Sequence, residues 1–88
     1  MSRKLRLFGR VQGVFFRQWA VSQARLLGVS GWIRNCPDGS VEAYLAGDKA
    51  AVEQMVDRMH EGPRQAQVND LMIEEVEPEE VEGFSVRL

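Results

Sequence analysis

The sequence predicts an α+β domain in which two helices pack on one face of a mostly antiparallel sheet. Three observations carry that expectation. The chain has 88 residues, which suits one compact domain over residues 1–88 and leaves no room for a second. Its periodicities run in the order β-α-β-β-α-β-β. A tight Pro37-Asp38-Gly39 turn demands an antiparallel pair on either side of it, whereas strands joined through a helix need parallel crossovers.

The elements follow in order. Lys4 to Arg10 reads as a strand with Leu5 and Leu7 on one face. Gly9 and Gly13 bracket a loop. Arg17 to Leu27 reads as a helix, because Ala20, Ala24 and Leu27 recur at helical spacing and Gly28 can close it. Val29 to Asn35 is a second strand. Ser40 to Ala46 is a third, in which Val41, Ala43 and Leu45 alternate with Glu42 and Tyr44. Asp48 can cap a second helix, where Val52, Met55, Val56 and Met59 form one buried stripe and Gly62-Pro63 brings the stop. Val68 to Val76 is a fourth strand whose imperfect alternation suggests a bulge. Glu74 to Glu82, very acidic and containing Pro78, reads as an exposed turn. Phe84, Val86 and Leu88 alternate with Ser85 and Arg87 as a short closing strand. The whole is the split βαβ, ferredoxin-like arrangement. That topology hosts many functions, so function must be argued from a site.

Composition narrows the classes. An apolar content of 44% with 27% charged residues is that of a soluble globular domain. No apolar run approaches the ~18 residues of a membrane span. The start, Met1-Ser2-Arg3-Lys4 leading into Leu5 to Arg10, lacks the unbroken apolar stretch of a secretory signal. The single cysteine, Cys36, has no internal partner. A cytoplasmic monomer is the expectation.

Charge is unevenly spread. Residues 1–37 carry Arg3, Lys4, Arg6, Arg10, Arg17, Arg25 and Arg34 and no acidic residue, while all 13 acidic residues follow. Either the first part of the chain meets an anion, or folding interleaves the two parts so that charges neutralise across strands. The net charge of −2 argues against a nucleic-acid surface.

Topology adds a geometric consequence. Strands one and two run parallel, so their C-terminal ends share one rim. Gly9 to Arg17 and the pair Arg34-Asn35 therefore meet there, where the first helix begins. A glycine-bearing turn from strand to helix can point successive backbone N–H groups into a concave nest, and the helix adds free N–H groups and the positive end of its dipole. Arg17 sits in the first turn, where a cation opposes that dipole. A bound anion explains it, since a guanidinium fork matches two phosphate oxygens. A tight connection with a solvated arginine also fits. The spacing is neither a Walker A loop nor a dinucleotide fingerprint.

Two segments resemble the acylphosphatase family. Gly9-Arg10-Val11-Gln12-Gly13-Val14-Phe15-Phe16-Arg17 is similar to its Gly-Arg-Val-Gln-Gly-Val-x-Phe-Arg loop. Gly31-Trp32-Ile33-Arg34-Asn35-Cys36-Pro37-Asp38-Gly39-Ser40-Val41 is similar to its Gly-Trp-Val-x-Asn-x-x-Asp-Gly-Ser/Thr-Val segment. Phe84 to Arg87 fits its Phe-x-x-Arg ending. The resemblance implies hydrolysis of small acyl phosphates to carboxylate and inorganic phosphate, without metal or cofactor. It implies that the backbone amides of Gln12, Gly13, Val14, Phe15 and Phe16 cradle the phosphate, that Arg17 binds its oxygens, and that Asn35 holds the attacking water. Cys36 departs from the small hydroxyl residue common after that asparagine, and a thiol is the weaker hydrogen-bond partner.

Three rivals stand beside this reading. A cysteine phosphatase would need an arginine six positions after Cys36, where this chain has Glu42. An RNA-binding module would stack bases on Phe8, Trp32 and Tyr44 if they were exposed. A regulatory domain is the third, since a similar domain opens larger proteins that use carbamoyl phosphate. His60 suits a helix C-terminus, and Trp19 reads as a half-buried helix residue beside the site.

Overall fold

The computed structural model describes residues 1–88. Seven elements form in the expected order: β1 (Ser2–Arg10), α1 (Phe16–Leu27), β2 (Ser30–Asn35), β3 (Val41–Ala46), α2 (Lys49–Glu61), β4 (Gln67–Glu75) and β5 (Phe84–Arg87). Boundaries differ from expectation by two residues or fewer.

The five strands make one sheet in the order β4-β1-β3-β2-β5. β3 is antiparallel to both β1 and β2, so β1 and β2 run parallel, separated by β3. β5 pairs in parallel with β2, with Ile33 opposite Val86. Strand alternation then sorts the side chains. Leu5, Leu7, Ile33, Val41, Ala43, Leu45 and Phe84 face the helices and are buried with Phe16, Ala20 and Ala24 of α1 and Val52, Met55, Val56 and Met59 of α2. Each fully buried Val, Leu, Ile, Phe or Met among them contributes ~1.5–3 kcal/mol relative to exposure.

The bulge lies where β1 meets β4. Phe8 pairs with Asp70 and Gly9 with Val68, which leaves Asn69 as the extra residue. Gly9 takes φ +123°, and a Cβ there would stand 2.2 Å from the Gln67 carbonyl oxygen. Only glycine lets β4 close against the end of β1, just before the loop.

Two expectations hold in part and one is corrected here. Asp48 occupies the N-cap position of α2, but its side chain makes no capping hydrogen bond. Glu74 and Glu75 belong to β4, where they pair with Lys4 and Arg3. The acidic segment beyond them is not simply an exposed turn, because it crosses the face of the sheet opposite the helices. There the Glu79 backbone N–H donates to the Tyr44 hydroxyl at 2.8 Å, and Trp32 Nε1 donates to Glu79 Oε1 at 3.1 Å. A buried indole and phenol need polar partners at their tips, and the segment supplies both.

Candidate active site

β1 ends at Arg10 and β2 at Asn35, and both ends lie at one rim of the sheet. The connection from β1 to α1 turns through two left-handed residues, Gly13 at φ +73° and Phe15 at φ +60°. Val14 between them has negative φ. Such alternation brings backbone N–H groups to one concave side. Phe15 is the N-cap of α1, and a non-glycine residue in this conformation costs about 1–2 kcal/mol. From Gln12 to Gln18, no backbone N–H donates to another group of the chain. The first turn of α1 holds no acidic residue, so the positive end of the helix dipole is not neutralised within its own element.

A cleft of about 520 Å³ opens at this point, lined by Val11, Gly13, Phe15, Phe16, Arg17, Gln18, Asn35 and Val86. Val11 and Phe16 are buried in its floor. Arg17 is half-buried and makes no ion pair or hydrogen bond within the chain. Asn35 Oδ1 is buried without a hydrogen-bond partner. An orphaned buried acceptor of this kind costs about 1–3 kcal/mol and is a mark of a site that satisfies it with something else. The cleft thus presents free donors, a free guanidinium and a free acceptor together.

The expected site residues divide as follows. Gly13, Phe15, Phe16, Arg17 and Asn35 line the cleft, whereas the side chains of Gln12 and Val14 do not. Val14 packs against the core. Gln12 Nε2 donates to the Cys36 carbonyl at 2.9 Å and the Ser40 carbonyl at 2.8 Å. This one side chain therefore pins the β1–α1 loop to the turn that follows Asn35. The turn itself is closed by Cys36 N–H donating to Ser40 O at 2.8 Å, and by the Ser40 N–H and hydroxyl donating to Asp38 Oδ1. Ser40 contributes the second carbonyl to the Gln12 clamp.

Arg34, expected at the rim with Asn35, points to the opposite face. Its Nε lies 2.8 Å from Glu42 Oε1, and Arg6 lies 3.3 Å from Glu42 Oε2. Burial works against the Glu42 carboxylate, but the hydrogen bonds from Arg34 and Arg6 outweigh it and hold its pKa below the ordinary value. Asp38 is held low as well, chiefly by the Ser40 hydroxyl and then by the Ser40 N–H, with Arg6 adding to it. The cross-strand reading of the charge asymmetry therefore holds for part of the basic set. Arg6 and Arg34 are neutralised across strands, and Arg17 is left free at the loop.

Two of the rivals lose a premise, although Phe8 of the three candidate stacking aromatics is only half-buried. Cys36 is buried and does not line the cleft. Trp32 and Tyr44 are 5% and 0% exposed, stacked on each other at 6.2 Å beneath the acidic segment, with Arg87 over the indole at 4.7 Å. They offer no open platform for bases. Trp19 packs edge-to-face on Phe16 at 5.4 Å and lies outside the cleft lining. Val86, Val11 and Gln18 line the cleft without having been singled out in the sequence. The signal for Val86 lay in the parallel β2–β5 pairing, which brings the last strand to the same rim.

Comparison with known proteins adds three findings. The family model described as Acylphosphatase matches residues 3–86. An acylphosphatase from Thermococcus kodakarensis is 52% identical over 83 residues, 93% of this chain and 90% of the relative. The crystal structure of an acylphosphatase from Bacillus subtilis superposes with a TM-score of 0.95 at 30% identity, covering 99% of this chain and 98% of that one.

Proposed function

The chain belongs to the acylphosphatase family, hydrolases of small acyl phosphates, and on that premise we propose how its cleft performs the reaction. The amides of Gln12 to Phe16 receive the phosphoryl oxygens, and Arg17 forks across two of them. Asn35 Oδ1 accepts from a water and aims its oxygen at phosphorus. The water oxygen forms a bond to phosphorus as the phosphorus–acyl oxygen bond breaks in line. The bond pair leaves with the carboxylate, and the water's proton passes to a phosphate oxygen, giving inorganic phosphate.

The observation that carries this reading is the convergence of unpaired donors and one unpaired acceptor on a single cleft. Donors stabilise charge that develops on the phosphoryl oxygens, and the acceptor orients a nucleophile without needing to become a base. A carboxylate is a good leaving group, so no general acid is required. Nor does any step call on a metal, and no group of three or more His, Cys, Asp or Glu side chains is placed to hold one.

All groups invoked come from one chain, so the reaction as proposed needs no second copy and residues 1–88 act in it as one unit, a monomer; the single cysteine and the net charge of −2 support a cytoplasmic protein without a nucleic-acid partner. The test is phosphate release from a model acyl phosphate in excess chelator, with a phosphate monoester as control. Hydrolysis of the acyl phosphate alone is expected. Hydrolysis of both at similar rates, or a strict need for added divalent ion, contradicts the mechanism.

A further inference from the structure

No hydrogen bond within the chain aims the Asn35 side chain. Its Oδ1 is buried without a partner, and its Nδ2 donates to no other group of the protein. Its direction is therefore set by its backbone. On one side Asn35 pairs with Val41 of β3. On the other it has no partner, because the pairing of β2 with β5 stops at Arg34. Cys36 follows at once. Its N–H donates to the Ser40 carbonyl at 2.8 Å, and its carbonyl accepts from the Gly39 N–H at 3.1 Å.

Ser40 is thus the anchor of the turn. It is a polar residue only 1% exposed. Its carbonyl accepts from the Cys36 N–H and from Gln12 Nε2. Its N–H and its hydroxyl both donate to Asp38 Oδ1, at 3.0 and 2.5 Å. An aspartate that accepts from the N–H two residues on closes an Asx turn. The second carboxylate oxygen of Asp38 lies 3.6 Å from Arg6 Nη1 on β1. Asp38 itself is exposed and does not line the cleft.

We propose that Asp38 is a positioning residue for Asn35, acting through Ser40 and Cys36 and never touching the substrate. The proposal rests on the role given above to Asn35 as the holder of the attacking water. Without the carboxylate, two donors on a buried residue lose their acceptor. Leaving them unsatisfied is costly, so Ser40 turns toward water. Cys36 and Asn35, joined to it in series, lose their fixed place. A misplacement of about 1 Å can cost ~10²-fold in rate, and a loosened turn that still samples the right place costs less. The phosphate-binding groups stand on another segment, held by β1 and α1 on either side of it. What Ser40 needs is an acceptor oxygen, not a charge, and asparagine supplies one.

The experiment measures kcat for acetyl phosphate and the competitive inhibition constant of inorganic phosphate. It compares wild type, Asp38→Ala, Asp38→Asn, Asn35→Ala and the double variant carrying both alanines. Asp38→Ala is expected to lower kcat about tenfold, with a nearly unchanged inhibition constant that also verifies folding. Asp38→Asn is expected to retain most of the turnover. In the Asn35→Ala background, Asp38→Ala is expected to leave the residual turnover nearly unchanged, because the group it positions is gone. Wild-type kcat in Asp38→Ala overturns the proposal. So does an equal loss in both backgrounds, which a merely structural role would give, and so does an Asp38→Asn variant as slow as Asp38→Ala. Full turnover in Asn35→Ala overturns instead the role of Asn35 in the proposed reaction.

Discussion

Arg17 opens onto the cleft from a position that its own helix disfavours. In the first turn a cation opposes the dipole by ~0.3–1 kcal/mol, and no carboxylate in the chain offsets it. The role proposed for it, a two-pronged phosphate ligand, predicts that Arg17→Ala loses both phosphate affinity and turnover. Arg17→Lys recovers little, because an ammonium offers a point charge in place of a fork. Steady-state kinetics together with inhibition by inorganic phosphate measures both; a lysine variant close to wild type in the two would rule out the bidentate contact. Gln12 acts through its side chain in another way. Its two donated hydrogen bonds fasten the loop to the Cys36–Ser40 turn. Gln12→Ala removes both hydrogen bonds, although each carbonyl keeps a backbone donor, Gly39 N–H on Cys36 O and Cys36 N–H on Ser40 O; at about 0.5–1.5 kcal/mol per bond it is expected to cost about 1–3 kcal/mol, read as a lower midpoint in urea. It also loosens the spacing between loop and Asn35, so kcat falls more than phosphate affinity. The motif marked Gln12 in the sequence, but it did not disclose that the side chain ties the loop to the turn. A backbone cradle needs any residue there, whereas only the pairing of two distant carbonyls calls for glutamine.

Among the elements, β3 joins the halves of the charge distribution. Glu42 is 12% exposed at its side chain and sits between Arg6 of β1 and Arg34 of β2. The folded-state pKa values of Glu42 and Asp38 are both lowered. Their contribution to stability is therefore complete above the ordinary values of 4.5 and 3.8, and it is lost as pH falls through the lowered ones. Glu42→Gln is expected to cost about 1–2 kcal/mol at neutral pH, a figure reduced from a fully buried pair because both arginines are part-exposed. It also flattens the fall in stability below pH 4.5. Urea midpoints of wild type and variant between pH 3 and pH 7, expected to converge at the acid end, check this; a constant gap across the range would contradict it. The strands and helices themselves were legible, since alternation and a helical stripe mark each one. The segment after β4 was less so. Acidic residues and a proline suggest solvent, and no periodicity tells that Glu79 reaches back to Tyr44 and Trp32. Those contacts join residues 35 and 47 positions apart, a separation to which local pattern is blind.

In the whole molecule, the sheet order places the rim ends of β1 and β2 one strand apart with β3 between them. Parallel direction follows from the helix between β1 and β2, so the meeting of loop and Asn35 could be reasoned from topology alone. The outward turn of Arg34 follows from strand alternation once Asn35 faces in. The wall contributed by Val86 could not be read without knowing that β5 joins beside β2 at the sheet edge. The central claim is that the two segments divide the work: the loop and Arg17 bind phosphate, and Asn35 aims the water. Removing a positioning group leaves the water to find its approach unaided, at a cost of ~10²-fold or more. The direct measurement is paired, in Asn35→Ala against wild type: turnover of a model acyl phosphate, and the competitive inhibition constant of inorganic phosphate. The account predicts turnover reduced at least ~100-fold with a nearly unchanged inhibition constant. Full turnover would remove Asn35 from the reaction, and lost phosphate affinity in a folded variant would move it into the anion site.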